Sequence, residues 1–270
     1  MDHELKGKTA IVTGSSKGIG KSIAFALAKE GCNLILCGRN SFKLATAVDQ
    51  IKKIDAVGTV HYEIVDGTKA DTVINFFKKI PRYCDSLDIL VNNIGGGTDK
   101  SRKFLDLEDA DWLRLYELNF MSAVRFIRCT LPMLTRSKNG RIINIGTLPS
   151  RQPGFTNPHY SAAKAALLYL NKYLANDLVK NGICVNIILP HSLLGETWEK
   201  NVLDRAISNS ISVAEAREIM SKEVCGKIPM SRQGTAEDVA NLVVFLASPK
   251  ANYITGTAIA VDGGTIRSIF

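Results

Sequence analysis

Tyr160 and Lys164 stand four residues apart, in Tyr160-Ser161-Ala162-Ala163-Lys164. On a helix that spacing puts a phenol and an ammonium on one face, a turn apart. An ammonium beside a phenol favours the phenolate and draws the tyrosine pKa down from about 10 toward working pH. Such a pair can give or take a proton at a carbon whose hydride goes to or comes from a nicotinamide ring. A second stretch, Thr13-Gly14-Ser15-Ser16-Lys17-Gly18-Ile19-Gly20, has the composition of a phosphate-cradling turn. Gly14, Gly18 and Gly20 permit a tight bend and let backbone N–H groups approach a pyrophosphate at a helix N-terminus.

Both stretches need a scaffold, and the chain supplies an alternating one. Apolar, β-rich runs at 9–12, 33–37, 60–65, 87–91, 141–145, 183–189 and 258–261 read as strands. Segments of helical period lie between most of them, at 19–29, 40–54, 70–79, 108–136, 158–180 and 236–247. This is the pattern of repeated βαβ units, which right-handed crossovers assemble into one parallel sheet with helices on both faces. The glycine turn then joins the first strand to the first helix, and Tyr160 and Lys164 ride on the helix after the fifth strand. One segment departs from the rhythm. Residues 191–228 are polar and helix-prone, and they leave the carboxyl end of the sixth strand, where ligands bind in open α/β sheets. We expect that segment to be a substrate lid on a single domain spanning 1–270.

Composition narrows the class. The chain has 270 residues, 46% hydrophobic and 22% charged, ordinary for a globular protein with a full core. No apolar run approaches the roughly 18 residues a membrane span needs, and the N-terminus lacks a signal peptide's apolar stretch, so a soluble cytoplasmic protein is expected. The six cysteines form no Cys-x-x-Cys pair and read as reduced thiols; the four histidines show no ligand spacing, so no metal is expected. The formal charge of +8 is spread along the whole chain. That argues against nucleic acid and for attraction of anionic ligands, such as a phosphorylated cofactor or an acidic carrier protein.

Taken together, the motifs resemble those of the short-chain dehydrogenase/reductase family over about residues 6–265. The family's Thr-Gly-x-x-x-Gly-x-Gly matches 13–20, and its Asn-Asn-Ala-Gly matches Asn92-Asn93-Ile94-Gly95. Its Tyr-x-x-x-Lys matches 160–164, and its C-terminal pattern resembles 229–234, 254–257 and 261–264. The resemblance implies a doubly wound Rossmann fold with seven parallel strands in the order 3-2-1-4-5-6-7. It implies a site of Asn119, Thr147, Tyr160 and Lys164: Tyr160 the acid/base, Lys164 the group that lowers its pKa and holds the nicotinamide ribose, and Asn119 the holder of a relay water. It also implies a homotetramer or homodimer. Cofactor contacts carried over in the same way are Gly14, Ser16, Lys17, Gly18, Ile19, Gly20, Asp66 at the adenine, Asn93, Gly95, Tyr160, Lys164 and Pro190.

Charge selects between the two nicotinamide dinucleotides. An acidic residue closing the second strand would hold ribose hydroxyls and repel a 2′-phosphate. Here Cys37-Gly38 is followed by Arg39, and Lys17 sits within the glycine turn. Two cations near one ribose favour NADP(H) over NAD(H).

Departures from the family pattern gather on the substrate side. Thr147 stands thirteen residues before Tyr160, where the family has Ser. It keeps the hydroxyl donor while its methyl stiffens χ1, and Ser150 is the rival donor. His191 follows Pro190 in place of Gly, Gly195 replaces a customary Thr for which Thr197 could substitute, and Gly96-Gly97 extends a loop that we expect to be mobile. The leading expectation is an NADPH-dependent reductase of a ketone, in look nearest the 3-oxoacyl carrier-protein reductases, with Arg125 and Arg128 on an exposed helix facing an acidic carrier. Oxidation of a sugar, polyol or steroid alcohol by the same residues, and a dinucleotide-binding protein with a decayed site, stay open.

Overall fold

Runs of aliphatic and β-branched residues build seven strands: β1 (Thr9–Thr13), β2 (Asn33–Gly38), β3 (Val60–Ile64), β4 (Ile89–Asn92), β5 (Arg141–Ile145), β6 (Cys184–Pro190) and β7 (Ala258–Val261). In this computed structural model, which describes residues 2–55, 57–97, 101–137 and 139–269, they form one sheet in the order β3-β2-β1-β4-β5-β6-β7. Every neighbouring pair is parallel. β1, β4, β5 and β6 are buried at every position, whereas the two edge strands are not. Near-continuous apolar strands are what a sheet covered on both faces requires. Topology and strand positions agree with the sequence-based expectation to within two residues at each end.

The covering helices are α1 (Gly18–Lys29), α2 (Ser41–Ile51), α3 (Ala70–Lys79), α4 (Asp109–Tyr116), α5 (Ser122–Ser137), α6 (Pro158–Leu178), α7 (Glu196–Asn209), α8 (Val213–Cys225) and α9 (Ala236–Ala247). On one face Ile23 and Leu27 of α1, Leu44 and Val48 of α2 and Val243 of α9 share a core with β1, β2 and β4. On the other, Phe76, Phe126, Leu134 and Leu174 do the same. The six cysteines are free, three of them buried and three half-buried, and burial pushes the thiols of Cys32 and Cys37 up to about 12.

Buried amides cross this apolar interior. Asn92 of β4 donates from Nδ2 to Asn144 Oδ1 of β5 at 2.9 Å, and Asn144 Nδ2 donates to Asn171 Oδ1 of α6 at 3.0 Å. Asn186 of β6 accepts at Oδ1 from the Thr257 amide and hydroxyl.

Two regions differ from expectation or refine it. The helix expected over 108–136 is two helices, α4 and α5, joined by a π-helical turn at Glu117–Met121. Asn119, inside that turn, donates from Nδ2 to the Leu115 carbonyl at 3.1 Å, a side chain competing with the helix's own backbone bonding. The segment 191–228 folds into α7 and α8, whose Trp198, Val202, Ala206 and Ala216 form a small core of their own. It is tied back where Leu194 N donates to the Gly234 carbonyl at 2.8 Å. Among the described residues no helix is long and apolar enough to cross a membrane, and no group of three or more His, Cys, Asp or Glu is placed to hold a metal ion.

Candidate active site

The glycine turn leaves β1 with Gly14 at φ +64° and Gly18 at φ +55°, conformations that favour glycine. At Gly20 packing alone requires glycine. A Cβ there would collide with Asn93 Nδ2 and the Gly14 carbonyl. Asn93 itself staples the turn, donating from Nδ2 to the carbonyls of Thr13 at 3.0 Å and Gly14 at 3.1 Å. Thr13 Oγ1 accepts from the amides of Asn93 and Ile94 at 2.9 and 3.0 Å. Ser15, fully buried, ties the turn to β2: its Oγ accepts from Cys37 N at 3.1 Å. Sequence reasoning gave Thr13 and Ser15 no role, because a hydroxyl's partner across strands leaves no mark in spacing.

α1 starts at Gly18 with Lys17 as N-cap and no side-chain cap. Its first amides therefore lack a side-chain partner, a preset anion site. In front lies an open cleft of about 310 Å³, lined by Ser16, Lys17, Gly18, Lys21, Phe42, Lys43, Thr46 and Glu196. Three lysines around an uncapped helix end fit a phosphorylated dinucleotide. One carboxylate is already there: Glu196, first residue of α7, is bonded to Lys17 and stands 4.0 Å from Lys43. The Lys17 hydrogen bond, above all, holds the Glu196 carboxyl below the usual range. Neither Glu196 nor Lys43 was singled out from sequence; they lie far apart along the chain, and nothing periodic links them.

The remaining cofactor-side residues sit at the carboxyl ends of the strands. Arg39 is exposed just past β2. Asp66 is half-buried, and burial, which alone would raise its pKa, is outweighed by two hydrogen bonds from Thr68 and the nearby Arg39 charge. Ile19 is half-buried in the first turn of α1, and Pro190 closes β6 in register with Val261.

On the other side of the crevice, α6 is started by Asn157 in the left-handed region, φ 56° and ψ 49°. Asn157 is fixed by exchange with Arg102: Oδ1 accepts from Arg102 N at 3.0 Å and its own N donates to Arg102 O at 2.8 Å. That start sets the register of α6 and so places Tyr160 and Lys164. Lys164 is 3% exposed, and its Nζ donates to the Ile145 carbonyl of β5 at 2.8 Å. Burial draws its ammonium down to about 8.

The phenol behaves differently from expectation. Lys164 was expected to draw the Tyr160 pKa down, yet burial pushes it up, and the one opposing influence is a hydrogen bond with Thr147. The Lys164 ammonium is committed to the Ile145 carbonyl, and the phenol is half-buried, which together explain the direction.

Thr147 follows β5 in extended conformation. Ser150, the rival donor, spends its hydroxyl on the Thr147 carbonyl at 2.6 Å, which leaves the Thr147 hydroxyl as the one beside the phenol. Asn119 is fully buried; Oδ1 accepts from Gly96 N and Nδ2 donates to Gly96 O, both at 3.0 Å. Gly96, expected in a mobile run, is anchored. A Cβ on Gly95 would meet Asn119 Oδ1 and Lys164 Nζ, each at 2.8 Å, so the loop closes tightly on the pair. The structure thus brings the four expected side chains to one place in two linked couples, Asn119 with Lys164 around Gly95 and Thr147 with Tyr160.

One further expectation is corrected here. Arg125 does not present a free charge on an exposed helix: it is largely buried, ion-paired to Glu117 at 2.8 Å across the π-turn and bonded to the Gly67 carbonyl. Arg128 is exposed, as expected. Thr197 is exposed on α7, and His191 is half-buried with its amide on the Val261 carbonyl.

A family model described as "Enoyl-(Acyl carrier protein) reductase" matches residues 14–265. The uncharacterized oxidoreductase YvrD of Bacillus subtilis is 37% identical, with all of both chains covered. The chain belongs to the short-chain dehydrogenase/reductase family. As a member of that family it is an oxidoreductase. The 3-oxoacyl-[acyl-carrier-protein] reductase FabG of Staphylococcus epidermidis is 32% identical over 95% of this chain and 98% of its own. Among solved structures, L-sorbose reductase from Gluconobacter frateurii, complexed with NADPH and L-sorbose, superposes with a TM-score of 0.94 at 32% identity over the whole of both chains. Short-chain dehydrogenase/reductase architecture therefore accounts for the entire sheet and for the crevice at its carboxyl edge.

Proposed function

We propose that this protein is an NADP(H)-dependent reductase that converts a ketone to a secondary alcohol, with Tyr160 as the acid. The observation that carries the reading is the Thr147 hydroxyl set beside the Tyr160 phenol, with Lys164 one turn further along the same helix and closed over by Gly95. A neutral phenol is the form a reduction needs, because the proton must go to the carbonyl oxygen. NADPH, when bound, supplies the hydride to the carbonyl carbon. Thr147 donates to that oxygen as charge develops on it. Once the phenol has given up its proton, Lys164, its pKa drawn down by burial to about 8, supplies the replacement proton near neutral pH. Asn119 holds the Gly95–Gly96 loop against Lys164 and shapes the floor of the crevice.

Support for the phosphorylated cofactor comes from Lys17, Lys21 and Lys43 around the cleft, from Arg39, and from the NADPH complex of the sorbose reductase. Ser16, Gly18, Ile19, Asp66, Asn93 and Pro190 complete its expected surroundings. For the substrate, likeness to FabG favours a 3-oxoacyl thioester on an acidic carrier, for which Arg128 remains an exposed cation. Likeness to the sorbose reductase favours a sugar ketone as the second reading. We read residues 1–270 as one domain with a lid at 191–228, working in the cytoplasm as a homotetramer or homodimer.

The test is NADPH oxidation on a panel of sugar ketones, simple ketones, 3-oxoacyl thioesters and enoyl thioesters, run beside Tyr160→Phe. Turnover of a ketone that falls at least about 10²-fold in the variant supports the reading. Tyr160→Phe activity equal to wild type removes the phenol from the mechanism, and turnover of enoyl substrates alone replaces carbonyl reduction by alkene reduction.

A further inference from the structure

Glu196 occupies an unusual position for a lid residue, since its carboxylate reaches out of α7 into the cofactor cleft and bridges two lysines of different origin. Lys17 belongs to the glycine turn and Lys43 to the first turn of α2. All three side chains are about half exposed, so each pair is weak and reversible. Gly195, immediately before, sits at φ +151°, a conformation that favours glycine, with open space around it. The residue that carries the carboxylate is therefore mounted on a permissive backbone joint.

A 2′-phosphate carries close to two negative charges against one on a carboxylate, and the two cannot neutralise the same lysines at once. Resting on the NADP(H) reading above, we propose that Glu196 is an internal competitor for the cofactor's 2′-phosphate, that Lys43 is a specificity-determining residue for that phosphate, and that cofactor binding unlatches α7. The latch holds the first turn of α7 over the cleft. A phosphorylated dinucleotide displaces it and frees the segment 191–228 to meet substrate. A dinucleotide without the 2′-phosphate leaves the latch shut, so selectivity comes from the lid as well as from the cations.

Binding of NADPH and NADH is measured by fluorescence titration for wild type, Glu196→Gln and Lys43→Gln. Glu196→Gln is expected to bind NADPH about three- to tenfold more tightly and NADH within about twofold of wild type; Lys43→Gln weakens NADPH about three- to tenfold and spares NADH. Amide exchange of the first turn of α7 reports the latch directly, with adenosine 2′,5′-bisphosphate and 5′-AMP as probes. The bisphosphate accelerates it in wild type, 5′-AMP does not, and Glu196→Gln exchanges fast without ligand. Wild type preferring NADPH while Glu196→Gln binds it no better, or α7 exchange indifferent to the bisphosphate, overturns the latch and leaves the cofactor reading standing. A wild type with no preference for NADPH overturns the cofactor reading, and the latch with it.

Discussion

Replacing Lys164 by Met tests the electrostatics at the centre of the site without touching its shape. Methionine is close to lysine in length and keeps the packing along β5. Folding brings the ammonium from an ordinary value of 10.5 down to about 8. At about 1.36 kcal/mol per pH unit, that gap is a burial penalty of about 3 kcal/mol. The sign follows from which state holds the proton. Between pH 8 and 10.5 the unfolded chain still binds it and the folded chain has released it, so stability rises with pH across that window. Below pH 8 both states are protonated and the penalty is felt in full. Wild type alone cannot show this, since Cys32 and Cys37, raised from 9.0 to about 12, work in the opposite direction above pH 9. The difference between Lys164→Met and wild type cancels them. Loss of the bond to Ile145 adds a roughly pH-independent cost of about 1.5–3 kcal/mol, which shifts the difference curve but not its slope. Thermal unfolding of both proteins from pH 7 to 10.5 should show the variant's relative Tm fall by about 6–12 °C, at about 2–4 °C per kcal/mol for a chain of this size. A constant difference over that range refutes the account of Lys164 as a charge held against its burial. If the slope is present, the charge is kept at a cost in stability, the mark of a group retained for the site's chemistry.

Thr147→Ala should lower kcat by about 10²–10³-fold through loss of the donor at the developing oxyanion, with Thr147→Ser restoring it to within about tenfold. Ser150→Ala, whose hydroxyl is turned to the Thr147 carbonyl, should stay within about threefold of wild type; steady-state kinetics on the best substrate decides between them. Gly20→Ala forces a methyl into Asn93 and the Gly14 carbonyl, so urea denaturation should show a loss of about 1–3 kcal/mol, and NADPH affinity should fall with it. Unchanged stability would mean that α1 can move off the turn freely.

The scaffold was legible because its signals are local. Aliphatic runs buried on both faces and amphipathic segments between them determine a parallel sheet, and a four-residue spacing is enough to put Tyr160 and Lys164 on one helix face. Asn119 was legible only through the family resemblance, inside a stretch expected to be one continuous helix, and its pairing with Gly96 was not legible at all, since a π-turn depends on tertiary partners. The direction of the Tyr160 pKa was misjudged because spacing shows an adjacent charge but not its depth below the surface or its commitment to Ile145. Arg125 misled for a similar reason: its place on an amphipathic helix gave no hint of Glu117 eight residues back. Contacts such as Lys17 with Glu196, 179 residues apart, belong to the assembled surface and are invisible to any periodicity.

The file of amides from Asn92 through Asn144 to Asn171 bears on how the chain avoids misfolding. Three of the five residues of β5, Arg141-Ile142-Ile143-Asn144-Ile145, are isoleucine, and a slide of two residues along β4 would keep each isoleucine on its own face at little hydrophobic cost. The polar positions object to the slide: displacement would pull Arg141 off Asn252 at the strand's start, and would strand the Asn144 amide in hydrocarbon and orphan both of its partners in the middle. A single polar side chain thereby acts as an alignment key for the middle of the sheet, and a chain with leucine in its place would have more than one way to be nearly right.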